Sequence, residues 1–157
     1  MVDNGAGGAG LDALDDKMPT AWEETWDAGT LSGAQTVTGV HGSASLTYTL
    51  PTDALPMGTK IRLAYTPKAD GGGLQSDKGV SGIPTNGNGS GQDITVEMTP
   101  VDGLYVFAGY SEVEQHNPGT SGLDGGDDIM HGTYGFTYAV GAVSLGIQQA
   151  YKSQDTG

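Results

Sequence analysis

The feature that most constrains this chain is a tandem of short segments in which apolar and polar residues alternate. Residues 43–50 show it most clearly. Ala44, Leu46, Tyr48 and Leu50 fall on one side, while Ser43, Ser45, Thr47 and Thr49 fall on the other. Successive side chains of a β-strand point to opposite faces, so such a segment presents one apolar and one hydroxylated surface.

The alternation recurs along the chain. In residues 59–66, Ile61, Leu63 and Tyr65 oppose Lys60, Arg62, Ala64 and Thr66. In residues 92–99, Ile94, Val96 and Met98 oppose Asp93, Thr95, Glu97 and Thr99. Residues 104–113 place Leu104, Val106, Ala108 and Tyr110 on one side but Tyr105 and Phe107 on the other, so their facing is ambiguous and burial on both sides is an option. Residues 131–140 and 143–151 alternate again, with Tyr134, Phe136, Tyr138, Val143, Leu145 and Ile147 on the apolar side. With residues 40–50 this makes about six antiparallel strands in three hairpins. Their tips are short at 51–58, at 100–103 and at the pair Gly141 and Ala142; the links 67–91 and 114–129 are long and rich in glycine or acids. Pro and Gly supply the backbone angles of the tight tips.

At 157 residues the chain is one all-β domain, with an acidic loop segment over 1–39 and antiparallel strands over 40–157. A net charge of -13 argues against nucleic acid as a partner, because phosphate contacts need clustered Lys and Arg. It suits an acidic surface, a divalent cation, or a pore that attracts cations. Cysteine is absent, so disulfides and thiolate chemistry are excluded. No run of about 18 apolar residues exists, which rules out a transmembrane helix but not a strand that shows half its residues to lipid. The first ten residues have neither the basic start nor the apolar core of a signal peptide.

The acidic segment carries Asp12, Asp15, Asp16, Glu23, Glu24 and Asp27 against Lys17, and Trp22 and Trp26 lie four apart beside a helical turn expected at Pro19. Residues 5–10 match the dinucleotide pattern GxGxxG letter for letter, but no strand is read before them and no helix after, so a glycine-rich tract is the better reading. Asp124, Asp127 and Asp128 form a candidate calcium loop without the full spacing of a known calcium motif; a solvated acidic loop is the simpler account. No other cofactor is expected. His41, His116 and His131 are isolated, and no acid–base or nucleophile set is visible, so the chain reads as a non-enzyme.

Lys60 and Arg62, with Asp93 and Glu97, are costly on the inner side of a dry core but natural facing a water-filled lumen. Apolar strands toward lipid, charged residues toward a lumen and alternating short and long turns are how a transmembrane β-barrel reads.

Residues 13–16 (ALDD) leading through 19–24 (PTAWEE) resemble the inward-folded constriction loop of general porins of the Gram-negative outer membrane. Residues 133–149 (TYGFTYAVGAVSLGIQQ) resemble their paired strands with a minimal periplasmic turn. The resemblance implies a homotrimer of barrels of about sixteen strands, set among lipid and lipopolysaccharide, that passes small hydrophilic solutes and ions by diffusion. Asp15, Asp16, Glu23, Glu24 and Asp27 would be the constriction acids, giving cation preference, and Lys60, Arg62, Asp93 and Glu97 would line the lumen. Barrels start at about eight strands, so six cannot close, and the chain most resembles an internal section of such a protein. The alternative is a secreted soluble β-sandwich, an adhesin or carbohydrate-binding module with calcium in its acidic loops. It predicts apolar faces packed into a dry core, with Lys60, Arg62, Asp93 and Glu97 in solvent.

Overall fold

The computed structural model of the chain describes residues 2–4, 10–14, 17, 40, 44–67, 69, 87–116 and 128–154. They form one antiparallel sheet of seven strands in chain order: β1 (Val2–Asn4), β2 (Ala44–Thr49), β3 (Lys60–Thr66), β4 (Gly87–Val101), β5 (Leu104–His116), β6 (Ile129–Val140) and β7 (Val143–Gln154). Six are substantial and β1 has three residues. The sheet is open: β1 and β7 are its outer strands and do not pair with each other among the described residues. The only helical pieces described are 3-10 turns, at Gly10–Leu14, Thr52–Ala54 and Pro56–Gly58. No described helix is long and apolar enough to cross a membrane.

The all-β, antiparallel expectation therefore holds, with differences in detail. β1, within the glycine-rich start, is an addition to the expected strands; it pairs Val2 with Leu46 and Asn4 with Ala44. β2 starts at Ala44 rather than residue 40. β4 starts at Gly87, so the link before it is shorter than the periodicity suggested. Gly87–Gly91 has no apolar alternation to reveal a strand; its neighbour β5 recruits it through the backbone ladder, with Gly87 opposite His116. At the other end β4 runs past Pro100, and the register shifts between Met98 and Val101. Proline has no N–H for the ladder, and a bulge accommodates it. The turn itself is only Asp102 and Gly103.

Because the strands run up and down in order, the three tight connections lie at one end of the sheet and the links 5–43, 67–86 and 117–128 leave from the other. Registered pairs keep the alternation coherent across the whole width. One row reads Tyr48, Leu63, Ile94, Tyr110, Gly132 and Tyr151, each residue directly opposite the next. The apolar face so formed is open: Leu145 and Ile147 are 66% and 65% exposed, and Leu46, Leu63, Ile94 and Phe136 are exposed too.

The polar face is the covered one. The 3-10 turn Gly10–Leu14 lies across it, and Leu11 and Leu14 pack on Phe107, with Tyr105 and Ala150 at the margin. Tyr105 and Phe107 thus face the polar side, which resolves the ambiguity of β5. A second small cluster, Ala69, Val113 and Ile129, lies on the same face toward the long links. The dry core between apolar faces that a sandwich requires is not formed by the described residues.

Gly103 and Gly141 hold φ of +77° and +59° in two of the tight turns, a region that costs a non-glycine residue about 1 kcal/mol or more. A Cβ at Gly103 would also strike the Ala139 carbonyl, whereas at Gly141 it would meet nothing. Gly103→Ala is therefore expected to destabilise the fold by about 2 kcal/mol and Gly141→Ala by about 1 kcal/mol. Denaturant unfolding of the two variants checks that order.

Candidate functional site

Lys60, Arg62, Asp93 and Glu97 all lie on the covered polar face, on two adjacent strands. Lys60 is directly opposite Glu97, and Arg62 is opposite Thr95, one step away. The carboxylates are well buried, Asp93 at 4% and Glu97 at 8% exposure. A buried charge is tolerated only when paired or hydrogen-bonded, and each carboxylate has its own set of partners.

Glu97 is the charged centre. The Arg62 guanidinium approaches its Oε1 at 2.8 Å, and Lys17 Nζ lies 3.6 Å from its Oε2. The Tyr105 hydroxyl donates to Oε2 as well. Lys17 also lies over the Tyr105 ring, 5.9 Å from its centroid, and the Tyr105 and Phe107 rings are 5.7 Å apart. Three strands and the N-terminal segment therefore meet at one carboxylate.

Asp93 instead binds backbone. Its Oδ2 accepts the N–H of Leu11 at 2.7 Å and that of Val40 at 3.1 Å. Ser111 lies directly opposite it on β5. On β7, Gln148 Nε2 donates to the Leu14 carbonyl at 3.1 Å and to Thr133 Oγ1 at 3.0 Å. The 3-10 turn is thus held at both ends, by β4 and by β7. Between these points Gly109 makes room, since a Cβ there would collide with Leu11 and Leu14. The buried hydroxyls of Ser45 and Thr95 have no hydrogen-bond partner among the described residues. Such groups are destabilising in a dry core, by about 1–3 kcal/mol each, and are at home against water.

The acids assigned to a constriction, Asp15, Asp16, Glu23, Glu24 and Asp27, lie outside the described residues, as do Asp124 and Asp127 of the candidate calcium loop. Asp128 is described. It borders a hollow of about 290 Å³ at the long-link end, with Tyr65, Ser90, Gln92, Glu112 and Glu114. Glu114 accepts from Ser90 there, at 3.0 Å from its hydroxyl. Among the described residues no three His, Asp or Glu side chains are grouped to hold a metal ion. As for the glycine motif, a strand does precede it, contrary to expectation, but β1 pairs antiparallel with β2 and a five-residue 3-10 turn follows. Among the described residues no α-helix N-terminus is placed to receive a pyrophosphate there.

Sequence reasoning missed Lys17, Tyr105 and Gln148. An aromatic pair at positions 105 and 107, out of phase with the apolar face, was the available signal for something packed on the polar side. In comparisons with protein-family models, with curated proteins and with solved structures, none matches this chain.

Arg62→Met strips Glu97 of its closest cation and is expected to cost about 1–3 kcal/mol, while the Arg62→Met/Glu97→Met pair recovers part of it. A double-mutant cycle by denaturant unfolding measures the coupling, expected above about 1 kcal/mol.

Proposed function

We propose that the sheet is a section of the wall of an outer-membrane diffusion pore, its open face toward lipid and its covered face toward an aqueous lumen. The observation that carries this reading is the inversion of the sheet: large apolar residues are exposed while Asp93, Glu97, Thr95, Ser111 and Thr133 are buried on the opposite face. A soluble monomer seldom exposes so continuous an apolar surface, and in a bilayer that surface is the one expected.

Dimensions support the same reading. β4 to β7 have 15, 13, 12 and 12 residues, beyond the roughly 9–11 that a tilted strand needs to cross. β2 and β3, at 6 and 7 residues, are shorter, so the four long strands carry the case. The apolar face also changes character along its height. The row with Tyr48, Tyr110 and Tyr151 is followed, toward the long links, by one that contains Tyr65, Gln92, Glu112 and Ser153. Tyrosines at an apolar-to-polar border are the mark of a membrane interface, where the ring is buried and the hydroxyl wet.

In this reading the solutes are small, hydrophilic and unselected by any binding site. Selectivity follows size and charge. An open sheet of seven strands is too narrow to close, and its edges would be completed by further strands, since unpaired backbone is expensive in lipid.

Two measurements test the reading. Purified protein, and the full-length gene product if one exists, added to planar bilayers is expected to give discrete, cation-preferring conductance steps once the barrel is completed, and neutralising Glu23 and Glu24 to Gln moves the reversal potential toward zero. Protein that stays monodisperse without detergent and never conducts would sink the proposal. Ile147→Arg separates the environments: on a lipid-facing wall it costs about 2–4 kcal/mol near the midplane, whereas an arginine on a water-exposed face is near neutral. Unfolding from lipid vesicles and from aqueous buffer compares the two.

A further inference from the structure

We infer that Asp93, Thr95 and Ser111 form a binding site for one sodium ion, set into the polar face between β4 and β5. Sodium binding here is independent of whether the opposite face meets lipid.

Three buried oxygens at this place have no hydrogen-bond partner among the described residues: Asp93 Oδ1, Thr95 Oγ1 and Ser111 Oγ. Their residues are 4%, 1% and 0% exposed. The register brings them together. Asp93 and Thr95 are two apart on β4 and so share a face, and Ser111 stands directly opposite Asp93 on β5. Gly109, opposite Thr95, completes a rectangle of four positions, about 5 Å across the ladder and about 7 Å along it. Every corner but the glycine carries one of the three oxygens. A Cβ at Gly109 would collide with the Leu11 and Leu14 methyl carbons, so hydrocarbon covers that corner.

The charge at this rectangle lacks a side-chain counterpart. Asp93 Oδ2 is taken by the Leu11 and Val40 amides. Arg62 and Lys17 are engaged with Glu97, and Lys60 stands opposite that residue. His131 and Lys152 continue the row beyond Ser111, one and two strands further from Asp93. Asp12, on the 3-10 turn, adds negative potential at Asp93 rather than relieving it. Buried carboxylates and hydroxyls need partners, and a hard cation takes what these groups offer, oxygen lone pairs and one formal negative charge. Hydroxyl oxygens ligate without losing a proton, and one carboxylate balances one positive charge. Calcium gathers about six to eight oxygens, several of them from carboxylates, whereas no three His, Asp or Glu side chains are grouped among the described residues. Charge and ligand set therefore favour a monovalent ion, its shell completed by backbone carbonyls or water.

The test is urea unfolding of the full chain in non-ionic detergent, with the chlorides of sodium, N-methylglucamine, calcium and magnesium compared at equal ionic strength. With sodium at ten times its dissociation constant in place of N-methylglucamine, the unfolding equilibrium constant is expected to fall about tenfold. Asp93→Asn, which puts an amide donor where a protonated acid would have its hydroxyl, is expected to lose that sodium increment. Thr95→Val and Ser111→Ala keep the carboxylate and replace it as the test if Asp93→Asn does not fold. Each is expected to move the midpoint of the sodium titration up by about threefold to tenfold. Without a ligand, deleting an unpartnered buried hydroxyl is neutral or stabilising in every salt, so the two accounts differ in sign. Equal wild-type stability in sodium and N-methylglucamine would mean that a proton or water serves Asp93, and overturns the site. A sodium increment that survives Asp93→Asn, or one given only by calcium or magnesium, overturns it as well.

Discussion

The registered antiparallel ladder is the constraint from which everything else in this molecule follows. Side chains change face at every residue, so a slip of one position on any strand would carry its leucines and tyrosines to the polar side and its carboxylates to the apolar side. From β2 to β7 each pairing holds its register, apart from local shifts in β4, one of them the bulge at Pro100. The result is two faces of different character over a wide sheet, with Lys60, Arg62, Asp93, Glu97 and the backbone anchors on one of them.

That separation places the two buried carboxylates together, where burial works against the charged form of Asp93 and their partners offset part of the desolvation. Asp93 and Glu97 sit on one strand, four residues apart, on one face. Glu97 finds cations from β3 and from the segment above it. Asp93 finds peptide groups, which supply partial positive charge without another titratable side chain. A small apolar cluster, Leu11, Leu14 and Phe107, with Tyr105 packed against it, lies on the same face. This patch is too small to be a globular core, and the sheet has its extensive apolar surface on the other side.

Much of the fold was legible because period-two alternation and glycine-bearing turns are written in the side chains. Leu63 with Ile94, and Phe136 with Ile147, are recognisable as same-face residues from their spacing alone. The polar-face set Lys60, Arg62, Asp93 and Glu97 followed from the same arithmetic. What stayed hidden depends on backbone. Gly87–Gly91 becomes strand through its neighbour, β1 is three residues of no distinctive pattern, and the partners of Asp93 are N–H groups that every non-proline residue possesses. Tyr105 stood out of phase in the sequence, yet its bond to Glu97 depends on a diagonal contact across β4 and β5. The acidic positions 15, 16, 23, 24 and 27 stand where the sequence alone still speaks.

The convergence of Arg62, Lys17 and Tyr105 on one carboxylate has a consequence for how the sequence can drift. Four positions scattered over 89 residues, 17 to 105, share a single electrostatic account. Losing the acid strands two cations and a phenol, and losing a cation leaves the acid under-compensated. Related chains should therefore change these positions as a set, exchanging the whole cluster for a neutral one or keeping all of it. In an alignment, columns 17, 62, 97 and 105 would covary although no two of them are neighbours in sequence.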